Sequence, residues 1–284
     1  MLKNKKMKAV IFSMILCITA GFVGCGQKPA DTQANSKQAE DKANEGSGKL
    51  AEIKKAGKLV LGTCPDYAPY EFHKKIDGKD TIVGFDIEIA KEIAKDLGVE
   101  LEIRDMAFEG LIPSLKTGKV DILISGMTPT PERAKEVDFS KVYYKAVQSV
   151  MIRTEDTDKY KNVDNLTGKK IGAQKASVQD KIAKKEIKNA NIVSLGKVTD
   201  LILSLKTKRS DAIIVEEPVA KAYVGKNKDL MITGIKVGSP DEGSAIAVQK
   251  DSKDFVDAVN KTIDRLVSEG NIEQFVTKAN EMVE

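Results

Sequence analysis

Arg133 stands in a segment whose residue types could bind a small anion. The segment reads SGMTPTPERAK, and in it Thr130 can cap a helix, Pro131 suits the first helical position and Arg133 falls in the first turn. Free amide groups at a helix start, the helix dipole and a guanidinium together favour an anion, and arginine can bind a carboxylate through two hydrogen bonds. The spacing alone leaves a second interpretation open, in which Arg133 is exposed and pairs with Glu132 or Glu136.

Two adjacent glutamates could supply the opposite charge. Glu216 and Glu217 follow the apolar run DAIIV, which is typical of a strand. Successive side chains of a strand point to opposite faces, so only one of the two can face a site. The alternative is that both carboxylates are solvated charges of a loop.

Few residues are available for catalysis or for metal binding. The only histidine, His73, lies in FHKKIDGKD, which we interpret as a charged turn, so a Ser-His or Cys-His hydrolase has little support. Of the three cysteines, Cys17 and Cys25 fall in the N-terminal segment, which leaves Cys64 alone. A single cysteine forms no disulfide framework and no cysteine-rich metal site. We therefore expect no enzyme activity, no cofactor and no metal.

The composition is that of a globular protein, with 41% apolar and 31% charged residues. The chain from about residue 50 onward is long enough for one large or two ordinary domains. The formal net charge of +4 includes a basic N-terminus, so nucleic-acid binding has no support.

Apolar periodicity predicts strands and helices in alternation. Strands are predicted for GKLVLGTC, VELEIRDM, VDILIS, KKIGAQ, NIVSL, DAIIV and SAIAVQ. Helices are predicted for VGFDIEIAKEIAKDLG, LIPSLKTGK, VQDKIAKKEI, LILSLKT, VAKAYVGKN, FVDAVNKTIDRLVSEG and IEQFVTKANEMV. This order is typical of the α/β class, with largely parallel sheets flanked by helices. Ligands of such sheets bind beyond the carboxyl ends of the strands.

One helix-turn-strand unit occurs twice. Residues 111–126 read LIPSLKTGKVDILISG and residues 201–216 read LILSLKTKRSDAIIVE. Repeat arrays need three or more such units, so two copies fit two similar lobes better. The copies end differently, in Ser125-Gly126 and in Val215-Glu216. Because these are the strand ends, we expect each lobe to present half of a site and the ligand to lie between the lobes.

Residues 1–24 are predicted to be a signal peptide. MLKNKKMK is basic, the apolar run AVIFSMILCITAGFV is short for a membrane span, and small residues follow it. GFVGC resembles a bacterial lipobox, which implies that Cys25 is diacylated and that two acyl chains anchor the protein. Plain secretory cleavage and an uncleaved anchor are the alternatives. Residues 25–48 carry no large apolar side chain and are interpreted as a flexible tether.

Six motifs carry a resemblance to a known family. In chain order they are LVLGTCPDYAPYEF, VGFDIEIAKEIAKDLG, FEGLIPSLKTGKVDILISGMTPTPERAKEVDFS, YY at 143–144, GKKIGAQKASVQD and DAIIVEEPVAKAY. From about Lys49 to Glu284 the chain resembles the family 3 extracellular solute-binding proteins of ABC importers, which capture polar amino acids. The resemblance implies a two-lobed periplasmic-binding-protein-like fold that closes on its ligand like a hinge. The implied lobes are residues 49–147 with 240–284, and residues 148–239, joined by crossings near 146–150 and 237–242.

A free amino acid offers an α-carboxylate, an α-ammonium and a side chain, and the resemblance assigns residues to the first two. It implies that Arg133 binds the carboxylate, helped by Thr128 and by backbone groups of Ser125 and Gly126. Glu216 falls on the family's acidic ligand of the ammonium, where aspartate is commoner.

The resemblance also assigns residues around the ligand's side chain. Tyr67 and Phe108 fall on the family's two stacking positions, and aromatic walls suit the apolar stem of a long polar side chain. Ser177 falls where the second lobe donates to the carboxylate, with a helix cap as its alternative, and Gln179 is a further candidate. Tyr70 is expected in the core.

Cys64 differs from the family members that prefer basic ligands. Several of them carry an acidic residue at this place, facing the end of the ligand's side chain. Cys64 supplies no charge, although Asp66 and Glu71 are near it in sequence. Glutamine is therefore no less plausible a ligand than arginine, lysine or histidine. The alternative is that Cys64 is simply packed at a strand end.

The resemblance implies delivery of the amino acid to an ABC permease and its ATPase, by a monomer anchored through its lipid to the outer face of the cytoplasmic membrane. Two other functions stay open. Some proteins on this scaffold are dehydratases of cyclic acids, and Glu216 could act as their pocket acid. A signalling or adhesion protein would dock a receptor in place of a permease.

Overall fold

The computed structural model of the chain describes residues 48–240 and 243–283. The predicted signal peptide, Cys25 and all of the predicted tether except Gly48 lie outside these ranges. Among the described residues, no helix is both long and apolar enough to span a membrane.

The strands form two five-stranded sheets and a small three-stranded one. The first sheet contains β1 Lys58–Thr63, β5 Glu100–Asp105, β6 Ile122–Leu123, β7 Val137–Lys145 and β13 Gly243–Gln249. The second sheet contains β8 Gln148–Arg153, β9 Lys170–Gln174, β10 Asn191–Leu195, β11 Ala212–Glu216 and β12 Leu230–Ile232. The small sheet contains β2 Asp66–Tyr67, β3 Glu71–Ile76 and β4 Lys79–Val83.

Helices flank both five-stranded sheets, and we call each sheet with its helices a lobe. The helices of the first lobe are α1 Lys49–Ala56, α2 Phe85–Leu97, α3 Leu111–Lys116, α4 Pro131–Ala134, α8 Lys253–Ser268 and α9 Asn271–Val283. Those of the second lobe are α5 Val178–Glu186, α6 Val198–Lys206 and α7 Glu217–Lys226.

The two sheets have equivalent topologies. Their strand orders are β5-β1-β6-β13-β7 and β10-β9-β11-β8-β12. In each sheet the first three strands run parallel, and the remaining two pairings are antiparallel. The predicted α/β class is confirmed, and the expectation of largely parallel sheets holds for those first three strands. Each whole sheet is mixed, because the strand that follows a crossing, β13 in the first sheet and β8 in the second, runs antiparallel to its neighbours.

The chain passes from the first sheet to the second between Lys145 and Gln148, and it returns between Ile232 and Gly243. The sequence patterns predicted neither β7 nor β8, the strands on either side of the first crossing. Charged residues interrupt the apolar alternation of β7, which lies at the edge of its sheet.

The interpretation of FHKKIDGKD as a turn is wrong for its histidine. His73 lies within β3, where its ring nitrogens are 2.8 Å from an Asp80 carboxylate oxygen and 3.1 Å from one of Asp105. The turn itself is at residues 77–78, where both residues have positive φ. The strand escaped prediction because five of its six side chains, those of phenylalanine, histidine, two lysines and isoleucine, are half-buried or exposed in no clear alternation.

Helix α2 follows its sequence pattern. Ile89 and Ile93 are fully buried in the core. Gly98 ends the helix with a φ of 71°, a left-handed conformation that costs glycine little. Asp86 does not cap the helix, because the cap position is Gly84; it lies in the first turn with a fully buried side chain.

The repeated unit has the same structural role in both lobes. In each copy a helix, α3 or α6, leads to a strand that begins just after an aspartate. Asp121 accepts a hydrogen bond of 3.0 Å from the backbone N–H of Val60, and Asp211 accepts one of 2.8 Å from that of Lys170. These bonds tie the repeat to β1 and β9, the neighbouring parallel strands. The repeat therefore fixes where the strand ends of each lobe lie.

Each of those neighbouring strands has a glycine where the repeat packs against it. Gly62 of β1 pairs with Leu123, and Gly172 of β9 pairs with Ile213. A Cβ at Gly62 would lie 2.8 Å from the Leu123 side chain, and one at Gly172 would lie 2.7 Å from that of Ile213. Neither position has space for a methyl group without displacement of its neighbours.

We expect Gly172→Ala to lower the free energy of unfolding by about 1–3 kcal/mol, because the added methyl group overpacks the second lobe. Urea denaturation of the protein and the variant measures this difference. Gly225→Ala is the matched control: a Cβ at Gly225 meets no atom within 4 Å, and alanine within α7 should stabilise by about 0.5–1 kcal/mol. Equal stability of Gly172→Ala and the parent protein would contradict the packing argument.

Candidate functional site

A small cavity lies between the lobes, at the carboxyl ends of β1, β6 and β9. Its volume is about 10 Å³, close to the space that one water molecule needs. The lining residues are Cys64, Asp66, Tyr67, Glu71, Phe108, Ser125, Gly126, Thr128, Arg133, Gln174, Ser177, Val178 and Gln179. The structure thus brings together all the predicted contact residues except Glu216. The side chains of the two lobes are in contact, so a ligand larger than water can enter only when they move apart.

Arg133 links the lobes at one corner of the cavity. Thr130 caps α4 by accepting a hydrogen bond of 3.3 Å from the Arg133 backbone. The guanidinium donates from Nη1 to the Thr128 carbonyl at 2.7 Å and from Nη2 to the Ala176 carbonyl of the second lobe at 2.9 Å. Its carbon lies 5.4 Å from the centre of the Phe108 ring. These contacts from both lobes hold the guanidinium in place at the cavity.

The neighbouring glutamates of Arg133 have other cationic partners. A carboxylate oxygen of Glu132 lies 3.2 Å from the Lys181 ammonium, and one of Glu136 lies 2.8 Å from that of Lys116. Both glutamates named in the alternative interpretation of Arg133 thus form ion pairs with lysines.

Ser177 and Gln179 bring the start of α5 to the same cavity. The Ser177 hydroxyl caps that helix by accepting a hydrogen bond of 3.2 Å from the Asp180 backbone. Gln179 donates to the Gln148 side chain at 2.9 Å and to the Tyr67 hydroxyl at 3.4 Å. Ser177 is thus a helix cap that also lines the cavity, so its two interpretations are compatible.

Glu216 makes a second contact between the lobes, from the second lobe to the first. Its carboxylate accepts a hydrogen bond from the Tyr70 hydroxyl, and its backbone N–H donates to the Tyr67 hydroxyl at 3.1 Å. The two tyrosine rings are 5.3 Å apart. Glu216 is buried and is not among the residues that line the cavity, whereas Tyr67, which its backbone contacts, is. Glu217 points elsewhere and pairs with Lys221 at 2.9 Å.

The Ser125-Gly126 loop rests on two buried acids that the sequence analysis did not assign to the site. The Ser125 hydroxyl donates to Glu71 Oε1 at 2.6 Å, and the Gly126 N–H donates to Asp86 Oδ2 at 2.9 Å. The Tyr143 hydroxyl donates to Asp86 Oδ1 at 2.8 Å. Gly126 has a φ of 52°, and a Cβ there would come within 3.2 Å of the Tyr67 ring. The acids therefore fix a glycine that has little space for a side chain.

The side chains of Glu71 and Asp86 are both fully buried. Burial raises the pKa of Glu71 well above its usual range, and the negative charge of Asp86 raises it further; burial also raises the pKa of Asp86, to about 6. Glu71 Oε2 makes no hydrogen bond, whereas both oxygens of Asp86 accept one. A negative charge is therefore better compensated on Asp86, and the protonated form is favoured at Glu71.

Asp66 makes a third contact between the lobes. Its Oδ2 accepts a hydrogen bond of 2.7 Å from the backbone N–H of Val198 in the second lobe. Its Oδ1 is 3.5 Å from both the Cys64 thiol and the Gln174 side-chain nitrogen. Burial raises the pKa of Asp66 to about 6 and also raises that of the Cys64 thiol. Cys64 is therefore a neutral thiol in the cavity wall, and the nearby charge belongs to Asp66.

The sequence contained one signal for these missed residues. Glu71 and Asp86 each stand inside an otherwise apolar segment, in YEF and in GFDI, where a charged residue is costly unless it has a buried role. Within residues 48–240 and 243–283, no three histidine, cysteine, aspartate or glutamate side chains are grouped so that they could bind a metal ion.

The chain has extensive similarity to known proteins. The sequence model of the bacterial extracellular solute-binding proteins, family 3, matches residues 59–281. The chain is 35% identical over 274 residues to the arginine-binding extracellular protein of Bacillus subtilis, an alignment that covers 95% of this chain and 97% of that protein. It is 32% identical over 273 residues to a probable histidine-binding protein of Campylobacter jejuni, covering 96% and 98% of the two chains.

Solved structures are similar as well. One is a substrate-binding protein of an amino acid ABC transporter from Streptococcus pneumoniae, bound to L-arginine. It is 44% identical to this chain, with a TM-score of 0.79, and the match covers 82% of this chain and 98% of that one.

The acid pair leads to a prediction for Glu71→Gln, since glutamine keeps the shape and neutrality of protonated Glu71. In the unfolded chain Glu71 loses its proton near its ordinary pKa of about 4.3, whereas the folded protein keeps it to higher pH. The stability that Glu71 contributes is therefore fully present below that pH and is lost as the pH rises towards the folded pKa. We expect the variant to gain stability relative to the parent protein between pH 5 and pH 8.

Urea denaturation at both pH values measures this change. Glu136→Gln, on an exposed loop, is the matched control for loss of one carboxylate. A Glu71→Gln variant whose relative stability falls as the pH rises would show that Glu71 is ionised in the folded protein.

Proposed function

This chain belongs to family 3 of the bacterial extracellular solute-binding proteins, and from this we propose that it captures a free amino acid outside the cytoplasm and delivers it to an ABC-type permease, with no chemical change to the ligand. One observation carries the proposal. Charged residues of opposite sign cross the cleft from opposite lobes: Arg133 reaches Ala176, and Glu216 reaches Tyr70. An amino acid has the two charges that complement this pair.

Arg133 is the proposed ligand of the α-carboxylate. Its guanidinium now donates to two backbone carbonyls, which a carboxylate could replace with stronger, charge-assisted hydrogen bonds. Thr128, Ser177 and the Ser125-Gly126 loop line the same cavity. The hydroxyls of Thr128 and Ser177 and the backbone N–H of Ser125 would donate the remaining hydrogen bonds, while the Gly126 N–H keeps its bond to Asp86.

Glu216 is the proposed ligand of the α-ammonium. For this role its carboxylate must exchange the Tyr70 hydroxyl for the ammonium, and the Tyr67 ring must move aside. Glu216 comes from β11 of the second lobe, whereas Tyr70 and Tyr67 belong to the first. A ligand bound to both lobes would thus replace hydrogen bonds that the two lobes make with each other. Hinge closure around the ligand would follow.

The side chain of the ligand would lie between Tyr67 and Phe108, which both line the cavity. We propose a basic amino acid, arginine first, with glutamine as the alternative. The similar proteins named for arginine and histidine support the basic class, and so does the buried carboxylate of Asp66 at the cavity wall.

The remaining assignments concern the surroundings of this site. We propose that the protein is a monomer, that its lobes are residues 49–147 with 240–284 and residues 148–239, and that Cys25 carries the lipid that holds it at the outer face of the cytoplasmic membrane. The permease and its ATPase are the proposed partners.

Isothermal titration against the twenty amino acids tests the proposed function directly. We expect one ligand per protein, with micromolar or tighter binding for arginine. No binding by any of them, or turnover of a cyclic acid such as prephenate, would overturn the proposal.

Arg133→Ala should weaken the binding of every amino acid ligand by at least about 100-fold, because the carboxylate loses its charged partner in a buried site. The matched control is Arg104→Ala, which removes an exposed arginine that pairs with Glu102 and should leave the affinity unchanged. Normal binding by Arg133→Ala would assign the carboxylate to other residues.

Glu216→Gln should weaken α-amino ligands by a similar factor, about 100-fold, and it should change the free energy of unfolding far less. Glu217→Gln removes the same charge one position away, where the side chain pairs with Lys221, and it should bind normally. Equal affinities of the two variants would contradict the role of Glu216.

A further inference from the structure

The cavity has a carboxylate whose role the two backbone charges of an amino acid do not explain. Asp66 follows β1 by three residues, is 7% exposed and lines the cavity together with Cys64 and Gln174. An ionised carboxylate in such a place is costly unless partners compensate its charge. The two oxygens of Asp66 differ in the strength of their hydrogen-bond partners.

Oδ2 has a strong partner across the cleft. It accepts a hydrogen bond of 2.7 Å from the backbone N–H of Val198, the first residue of α6. The cap residue of α6 is Lys197, whose side chain makes no capping hydrogen bond. Asp66 therefore caps a helix of the second lobe from the first lobe. Oδ2 therefore already accepts a strong hydrogen bond when the two lobes are in contact.

Oδ1 has only weak partners. Its contact with the Gln174 amide is 3.5 Å long, at the outer limit for a nitrogen donor, and its other partner at 3.5 Å is the Cys64 thiol, which is a weak donor. The same Gln174 nitrogen donates at 3.1 Å to the Gly196 carbonyl, so its contact with Asp66 is the weaker of the two. A buried carboxylate oxygen with such contacts has capacity for a stronger donor.

Glu71, the other acid in the cavity wall, is not available for this role. Its Oε1 accepts from Ser125 at 2.6 Å, and burial beside Asp86 raises its pKa, which favours its protonated form. Among the described acids that line the cavity, Asp66 is thus the one that can offer a negative charge to a ligand.

We propose that Asp66 determines the specificity of the cleft: Oδ1 binds the cationic end of the ligand's side chain, a guanidinium or an ammonium, while Oδ2 keeps its bond to Val198. This inference rests on the proposed amino acid function and goes beyond it by assigning the side-chain end to a residue. Asp66 supplies the charge that the neutral thiol of Cys64 does not.

The charges of the cleft then match one class of ligand. Arg133 takes the carboxylate, Glu216 the ammonium and Asp66 a second positive group, so a basic amino acid complements all three. Glutamine would leave the charge of Asp66 without a cation in a buried site. Because Oδ2 binds the second lobe and Oδ1 the ligand, one carboxylate would contact both.

Asp66→Asn separates the two roles of the residue. Asparagine is a good helix cap, so the variant keeps an acceptor for Val198 but has no charge. The probes are L-arginine and L-citrulline, which replaces the guanidinium by a neutral urea group of the same shape. We expect the dissociation constant for arginine to rise by at least about 100-fold, whereas that for citrulline changes by no more than a few-fold.

Two further variants complete the test. Asp66→Ala removes both charge and cap, so both probes should bind more weakly than to Asp66→Asn. Asp105→Asn is the matched control: Asp105 ends the neighbouring β5, pairs with His73 at 3.1 Å and is absent from the cavity wall. It should leave both dissociation constants unchanged.

The outcomes distinguish this inference from the proposed function. Equal losses for arginine and citrulline in Asp66→Asn would show that Asp66 only holds the lobes together. Unchanged arginine binding would show that Asp66 makes no contact with the ligand. Each result overturns the specificity role while amino acid capture stands. A parent protein that binds no amino acid would overturn the proposed function itself.

Discussion

The closed cleft depends on one constraint: charged side chains that are taken out of water must have partners. Arg133 and Glu216 each find theirs on the opposite lobe, at the Ala176 carbonyl and the Tyr70 hydroxyl. Both of these groups on the opposite lobe are uncharged. A zwitterion offers Arg133 and Glu216 each a full opposite charge, which makes the stronger hydrogen bond. The same residues can therefore hold the lobes together alone and hold them more firmly around a ligand.

The site is supported from behind by groups that never need to touch a ligand. Glu71 and Asp86 hold the Ser125-Gly126 loop through one hydrogen bond each, and their burial raises the pKa of both, which favours protonation of Glu71. This arrangement places two acids in the core without two unpaired charges. It also holds Gly126 close to the ring of Tyr67, so the position of the loop limits the position of the ring.

How much the sequence could reveal depends on the range of the interactions involved. Arg133 was identifiable because its cap, its proline and its own position lie within a few residues, and the repeat predicted the strand ends that frame the cleft. The contacts of Glu216 with Tyr70 and Tyr67 were not, since they depend on how closely the two lobes approach. Asp66 was noticed but not assigned, because its partner Val198 is 132 positions away along the chain.

The aspartates of the repeat, Asp121 and Asp211, have a consequence for how such a protein diversifies. Each anchors the start of its strand to a neighbouring strand, whereas the two copies finish differently, in Ser125-Gly126 and in Val215-Glu216, where the strands end. The aspartates that stabilise the fold and the residues that end the strands thus lie in two separate stretches of one motif. New ligand preferences can arise by point substitution in the second stretch while the first continues to direct assembly of both halves.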